Sequence, residues 1–512
     1  MRPGFRQSMA WLHTWAGLVT GWVMFAVFVT GTATYYRADI SLWMRPELRA
    51  GPSDPIPAAE RGIAYLKTHA PKAMAWYVSV PQPDRPVIGV YWMDSLEAPL
   101  GQALLDRETG TPTRARDTQG GDFFYRFHYE LQMMPTLGRW IVGGAAMILL
   151  VALISGIVTH RRIFADFFTF RRDKSAQRGW LDAHNVTGVL ALPFHLMITY
   201  TGIVTLGLMY MPWGVTAAYK GDDLRFFVES AQSTTWRPAA GRPAEALPLA
   251  PLLARAQGEV FEPLEMVIVN NPGDAGATVV AVFEEPHGLA HQHPQIAFDA
   301  VSGAVVERVG TMKPAAHVFT SFMGLHEAHF ASPVLRALFF LCGLMGAATI
   351  ATGLVLWSVA RMPKAGEAPR FGLRLVRGLN IGTILGLPIG MAAFFLANRL
   401  LPVDLAHRAT WEGGVFFGAW ALAALVPLAR PHRRAWVEMG LSAGLLFGAV
   451  PIVGALTTDR GFDFLAFDAA MLGLGLVLAL GARAVSLYEG RRAAARAARP
   501  AGGLAPEGLV KA

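Results

Sequence analysis

Residues 11–31 read WLHTWAGLVTGWVMFAVFVTG and residues 182–202 read DAHNVTGVLALPFHLMITYTG. At an offset of 171 residues the two stretches share a histidine (His13, His184), a glycine four residues later (Gly17, Gly188) and a closing Thr-Gly pair (Thr30-Gly31, Thr201-Gly202). Downstream, His128 lies seven residues before Pro135 and His326 seven before Pro333, and each proline opens another apolar run. Marks repeated in the same order imply an internal duplication. The repeated unit reads helix, polar segment, helix, and both copies run in the same direction.

The composition fits a polytopic membrane protein: 53% of residues are hydrophobic, 16% are charged, and mean hydropathy is +0.35. A span needs about 20 apolar residues. Eight stretches qualify: 10–36, 137–160, 184–212, 334–360, 375–398, 413–430, 437–457 and 463–487. The polar segments 37–134 and 213–332 then lie on the outer side, 161–183 forms an inner loop, and 488–512 is an inner tail. Basic residues cluster at alternate connections (Arg161, Arg162, Arg171, Arg172, Lys174 and Arg178; Arg361, Lys364, Arg370, Arg374 and Arg377; Arg430, Arg433 and Arg434), which makes those loops cytoplasmic. Arg2 and Arg6 at one end and Arg491, Arg492, Arg496 and Arg499 at the other put both termini inside. The net charge of +8 is therefore topological bias, and nucleic acid is not expected as a partner. The first apolar run is too long for a cleavable signal. A single cysteine, Cys342, excludes internal disulfides and covalent haem attachment through Cys-x-x-Cys-His.

Each outer segment reads as a small α+β domain. In the first, Glu60 to His69 suits a helix, Trp76 to Val80 and Val87 to Met93 suit strands, and Ala103 to Asp106 leads into a turn ending at Gly110. In the second, Leu249 to Ala256 suits a helix, Met266 to Val269 and Thr278 to Phe283 suit strands, and Ile296 to Asp299 leads into a turn ending at Gly303. Asp106 to Gly110 thus matches Asp299 to Gly303. The last four spans form a separate block, with His407 and His432 in loops and no intramembrane charge pair expected; Pro388 and Pro451 interrupt two of them.

A twofold relation between copies would bring equivalent histidines face to face at two depths. The simplest chemistry for such pairs is bis-histidine ligation of two haems, His13 with His184 on the inner side and His128 with His326 on the outer. Ionisable groups within spans are costly and usually mark function. Gly17 and Gly188 would leave room for a macrocycle or a close helix. His195 is eleven residues past His184, which on a straight helix puts it on nearly the same face. It is a further candidate, either as a ligand replacing His128 or His326 or as a relay; His160 reads as interfacial. His287, His291 and His293 cluster in one outer loop, where they could hold an iron or copper substrate. His326-Glu327-Ala328-His329 resembles a zinc-protease signature only superficially, because the histidines there must be four apart. No glycine-rich nucleotide loop is present, so electrons must come from elsewhere.

Leu12-His13-Thr14-Trp15-Ala16-Gly17, Trp180-Leu181-Asp182-Ala183-His184 through Gly188, Leu192-Pro193-Phe194-His195, Tyr200-Thr201-Gly202 and Leu325-His326-Glu327 resemble the PepSY-associated transmembrane proteins over about residues 5–362. The resemblance implies PepSY-like outer domains, a four-helix haem bundle and b-type haem. Members include inner-membrane ferric-siderophore reductases, usually with four core helices, so the resemblance also implies a ferric complex as substrate. The four extra C-terminal spans depart from that compact form. The expected fold is mainly α: a duplicated helix–α+β domain–helix unit with a C-terminal four-helix membrane block. The expected function is transmembrane electron transfer in a bacterial inner membrane, from a cytoplasmic reductant or quinol to a ferric complex outside. The rival readings are a haem-free PepSY regulator or binding protein, and a transporter using the C-terminal block.

Overall fold

The computed structural model describes the chain apart from residues 1–3, 49–50, 52, 84, 161–175, 223–224, 227–233, 235, 311, 364–366, 459–463 and 498–512. Arg2, Arg161, Arg162, Arg171, Arg172, Lys174, Lys364 and Arg499, on which much of the expected orientation rests, lie outside the described residues. The chain divides into two compact units, Met1–Trp357 and Ser358–Ala512.

In the first unit, the first copy comprises α1 (Phe5–Thr34), α2 (Arg37–Trp43), α3 (Pro55–His69), β1 (Ala75–Ser79), β2 (Ile88–Met93), β3 (Gly101–Leu105), α4 (Asp122–Glu130) and α5 (Pro135–Thr159). The second comprises α6 (Ala176–Leu190), α7 (Leu192–Thr205), the short α8 (Gly207–Tyr210) and α9 (Trp213–Tyr219), then α10 (Leu249–Glu259), β4 (Leu264–Asn270), β5 (Thr278–Phe283), β6 (Gln295–Asp299), β7 (Val305–Val309), α11 (Pro314–Glu327) and α12 (Pro333–Val359). Helix α3 starts where Asp54 caps it, accepting from the Ile56 N–H at 3.1 Å, with Pro55 in the first turn. It buries Ala59, Ile63 and Leu66, spaced three and four apart, on one face.

The strands of the two copies do not form two sheets. They join in one seven-stranded antiparallel sheet, ordered β3-β2-β1-β4-β5-β6-β7. The seam is β1 against β4, with Tyr77 opposite Ile268 and Val78 opposite Val267. Helices α3 and α10 contribute Leu66, Leu252 and Leu253 to one apolar core with Val78, Val90, Val267, Phe283 and Phe298 from the sheet. Burying one such leucine contributes about 1.5–3 kcal/mol. Joining the copies removes two unpaired strand edges and closes a core that neither half fills alone. Strand β7 was not expected from the sequence; its alternating half-buried and exposed residues carry a weak signal.

The matched turns are built alike. Asp106 accepts from the N–H of Glu108 and of Thr109 and from the Thr109 hydroxyl, and Asp299 accepts from Val301, Ser302 and the Ser302 hydroxyl in the same way. Gly110 and Gly303 follow at φ +69° and +71°, a region where glycine carries no steric penalty.

Among the described residues, seven helices are long and apolar enough to cross a membrane, counting Phe371–Leu400 as one, and the pair α6 and α7 makes an eighth if its 68° bend counts as one broken span. The bend corrects the straight span expected over 184–212. Pro193 lacks an N–H and crowds the preceding turn, so the helix stops at Leu190 and restarts at Leu192. Residues 176–183, expected in a loop, are the first half of α6, and the apolar run past Thr205 belongs to short helices.

The second unit holds α13 (Phe371–Ile384), α14 (Gly386–Leu400), α15 (Arg408–Ala429), α16 (His432–Thr457) and α17 (Leu465–Ala497). The expected tail from 488 is thus helical up to Ala497. Pro388 breaks the first span at Leu385, one residue after Ile384, whose carbonyl the proline ring would meet; Pro427 and Pro451 lie inside continuous helices. His432 opens α16 rather than lying in a loop. A buried charge pair stands at the start of α15, just before the span expected over 413–430. Arg408 and Glu412, both fully buried, form an ion pair within α15. Asn398 donates to Glu412 at 2.8 Å, and Arg399 donates to the Asn398 side-chain oxygen at 2.7 Å.

Candidate functional site

Four histidines of the first unit meet as two pairs. His13 on α1 faces His184 on α6 with ring centres 6.1 Å apart and planes at 60°. His128 on α4 faces His326 on α11 at 5.9 Å and 31°. The second pair stands on the side of the sheet, and the first lies toward the opposite end of α1. Each pair takes one ring from each copy.

Every ring is held from behind. Nδ1 of His13 donates to the Ala152 carbonyl on α5, Nδ1 of His128 to the Val27 carbonyl on α1, and Nδ1 of His184 to the Thr349 carbonyl on α12, each at 2.8 Å. Nδ1 of His326 lies 3.1 Å from the Thr201 hydroxyl, which already donates to Met197 and so acts as acceptor. An imidazole donating from Nδ1 keeps its lone pair on Nε2. Two imidazoles bound on opposite sides of one metal, with bonds of about 2 Å and about 1 Å more from nitrogen to ring centre, stand about 6 Å apart. Both pairs meet that spacing. Val27, which anchors His128, is 14 residues past His13, about 21 Å along the helix.

A glycine on the anchoring helix underlies each ring. A Cβ on Gly156 would come within 3.0 Å of His13, on Gly353 within 3.1 Å of His184, and on Gly202 within 2.8 Å of His326, while on Gly31 it would overlap the His128 ring. The glycines that close approach requires are therefore these four. Gly17 faces open space and Gly188 meets only Thr349. The sheet-side pair opens into a cleft of about 1320 Å³ between helix ends and sheet, which Arg37, Arg139 and Arg336 also line.

His195 is buried but has no histidine partner among the described residues. Its ring neighbours are Phe28 and Phe194, and its Nε2 makes no aligned hydrogen bond, with the Cys342 and Gly188 backbone close by. The bend at Pro193 defeats the straight-helix reckoning that aligned it with His184. His160 caps α5, with Nδ1 buried and without a hydrogen-bond partner among the described residues.

His287 lines the cleft, and so do His293, Glu285, Glu327 and His329; His291 and His293 converge on Glu285, with Glu327 and His329 beside His291. Glu265 on β4 completes the group, 2.9 Å from Nδ1 of His293. Burial disfavours the charged His293 ring, but the Glu265 carboxylate outweighs it and the pKa rises; the Glu327 carboxylate, 2.7 Å from Nε2, raises that of His329.

A family described as "PepSY-associated TM region" matches residues 10–360, which takes in both pairs, the sheet and α12. The chain belongs to this PepSY-associated family. It is also similar to the uncharacterized protein PA4219 of Pseudomonas aeruginosa, with 29% identity over 328 residues, covering 60% of this chain and 79% of the relative. The PepSY-associated region ends where the second unit begins, so the five C-terminal helices lie outside it. Within it, sequence reasoning missed Gly156, Gly353, Glu265, Glu285 and the place of His329 beside Glu285. Gly156, Gly353, Glu265 and His329 gave weak signals because each meets a residue far away in the chain; Glu285 lies close to His291 in sequence.

Proposed function

We propose that this PepSY-associated membrane protein is a dihaem electron carrier, with His13 and His184 holding one b-type haem and His128 and His326 the other. The observation that carries the reading is the pairing itself: ring centres 6.1 and 5.9 Å apart, with Nδ1 of every ring engaged from behind. The donor set fits the group, and the glycines beneath the rings leave the space that a side chain would fill. Haem, when bound, supplies reversible one-electron chemistry at iron. The chain's own residues do the rest. Ala152, Val27 and Thr349 fix ring orientation through their carbonyls, and such partners behind a metal ligand tune its basicity. The cleft beside His128 and His326 is lined by arginines (Arg37, Arg139 and Arg336) and by carboxylates (Glu265, Glu285 and Glu327), with Arg37 paired to Asp122 and Arg139 to Glu130.

Two layers about 21 Å apart along α1 suit transfer across a bilayer. In this reading the protein lies in a bacterial inner membrane with both termini inside. It takes electrons from a cytoplasmic reductant or quinol and passes them to a ferric complex, such as a ferric siderophore, at the cleft. A haem-free regulator would leave four paired, back-anchored imidazoles without a task. The test is a reduced-minus-oxidised spectrum of the purified chain with haem quantification. Two haems per chain are expected, falling to one in His13→Ala and in His128→Ala; a colourless preparation from iron-replete cells overturns the reading.

A further inference from the structure

Glu285, His293 and His329 line the cleft and cluster there with His291. Nδ1 of His291 and Oε1 of Glu285 are buried against each other without hydrogen-bond geometry. Nε2 of His293 lies 3.5 Å from Glu285 Oε1, and Nδ1 of His329 lies 3.5 Å from Glu285 Oε2. Three imidazole nitrogens therefore face one carboxylate from three directions. Donor atoms of Glu285, His291 and His293 lie within 4.8 Å of one another, as do those of His291, Glu327 and His329. Ligand bonds of about 2.0–2.2 Å place ligand atoms about 3.4–4.4 Å apart around one ion.

The outward nitrogens are also engaged. Nδ1 of His293 contacts the Glu265 carboxylate at 2.9 Å and the Phe283 carbonyl at 3.0 Å, and Nε2 of His329 contacts Glu327 at 2.7 Å. A carboxylate behind a histidine whose other nitrogen faces a shared centre is the arrangement that orients metal ligands. We propose that Glu285, His291, His293 and His329 bind one divalent first-row transition-metal ion, with Glu265 and Glu327 positioning His293 and His329. Three imidazoles and one carboxylate, without a thiolate, suit ferrous iron or zinc and disfavour soft monovalent copper. Three separate stretches supply the residues: β4, the loop between β5 and β6, and the end of α11 with the residues just after it. Glu327 directly follows His326, so the ion lies beside the sheet-side pair, with adjacent Cα atoms about 3.8 Å apart. That neighbourhood gives the ion a part in electron transfer only if the dihaem reading holds; metal binding itself does not need it.

The test is equilibrium dialysis of untagged, chelator-treated full-length protein in detergent against micromolar zinc ion, with bound metal measured by atomic absorption. One zinc per chain is expected. Glu285→Ala with His291→Ala removes it, and Glu327→Gln weakens affinity by about 10–100-fold. The melting temperature of each variant establishes that it is folded, and Glu327→Gln, which changes no volume, covers the case where the double variant is not. Zinc uptake unchanged in a folded double variant or in Glu327→Gln, or no uptake by the wild type, overturns the proposal. Haem content is read on the same samples, so a wild-type chain that takes up zinc but carries no haem sinks the dihaem reading alone.

Discussion

Gly31 lies directly beneath the imidazole of His128, so close that a single added Cβ would overlap the ring. The ring cannot retreat without giving up its hydrogen bond to the Val27 carbonyl one turn earlier on the same helix. In the dihaem reading, Gly31→Ala turns Nε2 of His128 away from His326 and lowers haem content from about two to about one per chain. Gly17→Ala, in open space, leaves it unchanged. Pyridine haemochrome assays on purified protein check both, and equal haem in the two variants defeats the assignment.

The seam of the sheet can be trapped covalently. Tyr77 and Ile268 are directly opposite across β1 and β4, where Cβ atoms stand about 4.5–5.5 Å apart. Tyr77→Cys with Ile268→Cys should oxidise to a disulfide that speeds migration of the full chain on a non-reducing gel. Tyr77→Cys with Val269→Cys should not, because a shift of one residue turns the side chain to the other face.

In the second unit, Glu412→Ala removes the carboxylate that Arg408 pairs with and Asn398 donates to, leaving a fully buried guanidinium without its counter-charge. Losing one partner of a buried pair costs about 3–5 kcal/mol. The variant should melt well below the wild type in detergent, while Arg408→Met with Glu412→Leu recovers most of the loss. If the single and double variants melt together, the pair is not what holds that corner.

Acid should act on the second matched turn. The Asp299 carboxyl is pulled down to about 2 by the Ser302 N–H and then by Arg237, 2.9 Å away. An unfolded aspartate titrates at about 3.9. A group whose folded pKa is depressed adds stability above the unfolded value and loses it as pH falls through the folded one. The gap in melting temperature between wild type and Asp299→Asn should therefore be full at pH 5 and shrink between about pH 4 and pH 2. A gap that stays constant over this range refutes the charged turn.

Much of this was legible in the chain. His13 and His184 announce the duplication because their neighbours recur in register, and Asp106 and Asp299 announce matched turns because an Asp-capped turn closing on a positive-φ glycine needs those residue types. What stayed hidden depends on partners chosen in three dimensions. Nothing in β1 says that its free edge meets β4 rather than solvent. Gly156 and Gly353 look like any packing glycine until a histidine from another helix lies over them. The spacing of His326 and His329 excludes a protease, but His329 works with His291 from a loop far upstream, which no local spacing reveals. Arg408 and Glu412 carried the ordinary i, i+4 mark of a helical pair at the start of an apolar run, and that signal was overlooked.

The antiparallel seam between β1 and β4 bears on ancestry. These are corresponding strands of the two copies, and equivalent strands meeting edge to edge in opposite directions is the contact made by two identical subunits about a twofold axis. A forerunner with one copy would have carried half of each histidine pair and an exposed strand, and self-association would have completed both at once. Joined in one chain, the two halves are free to differ, as the unbroken α1 of one copy and its proline-split counterpart in the other do.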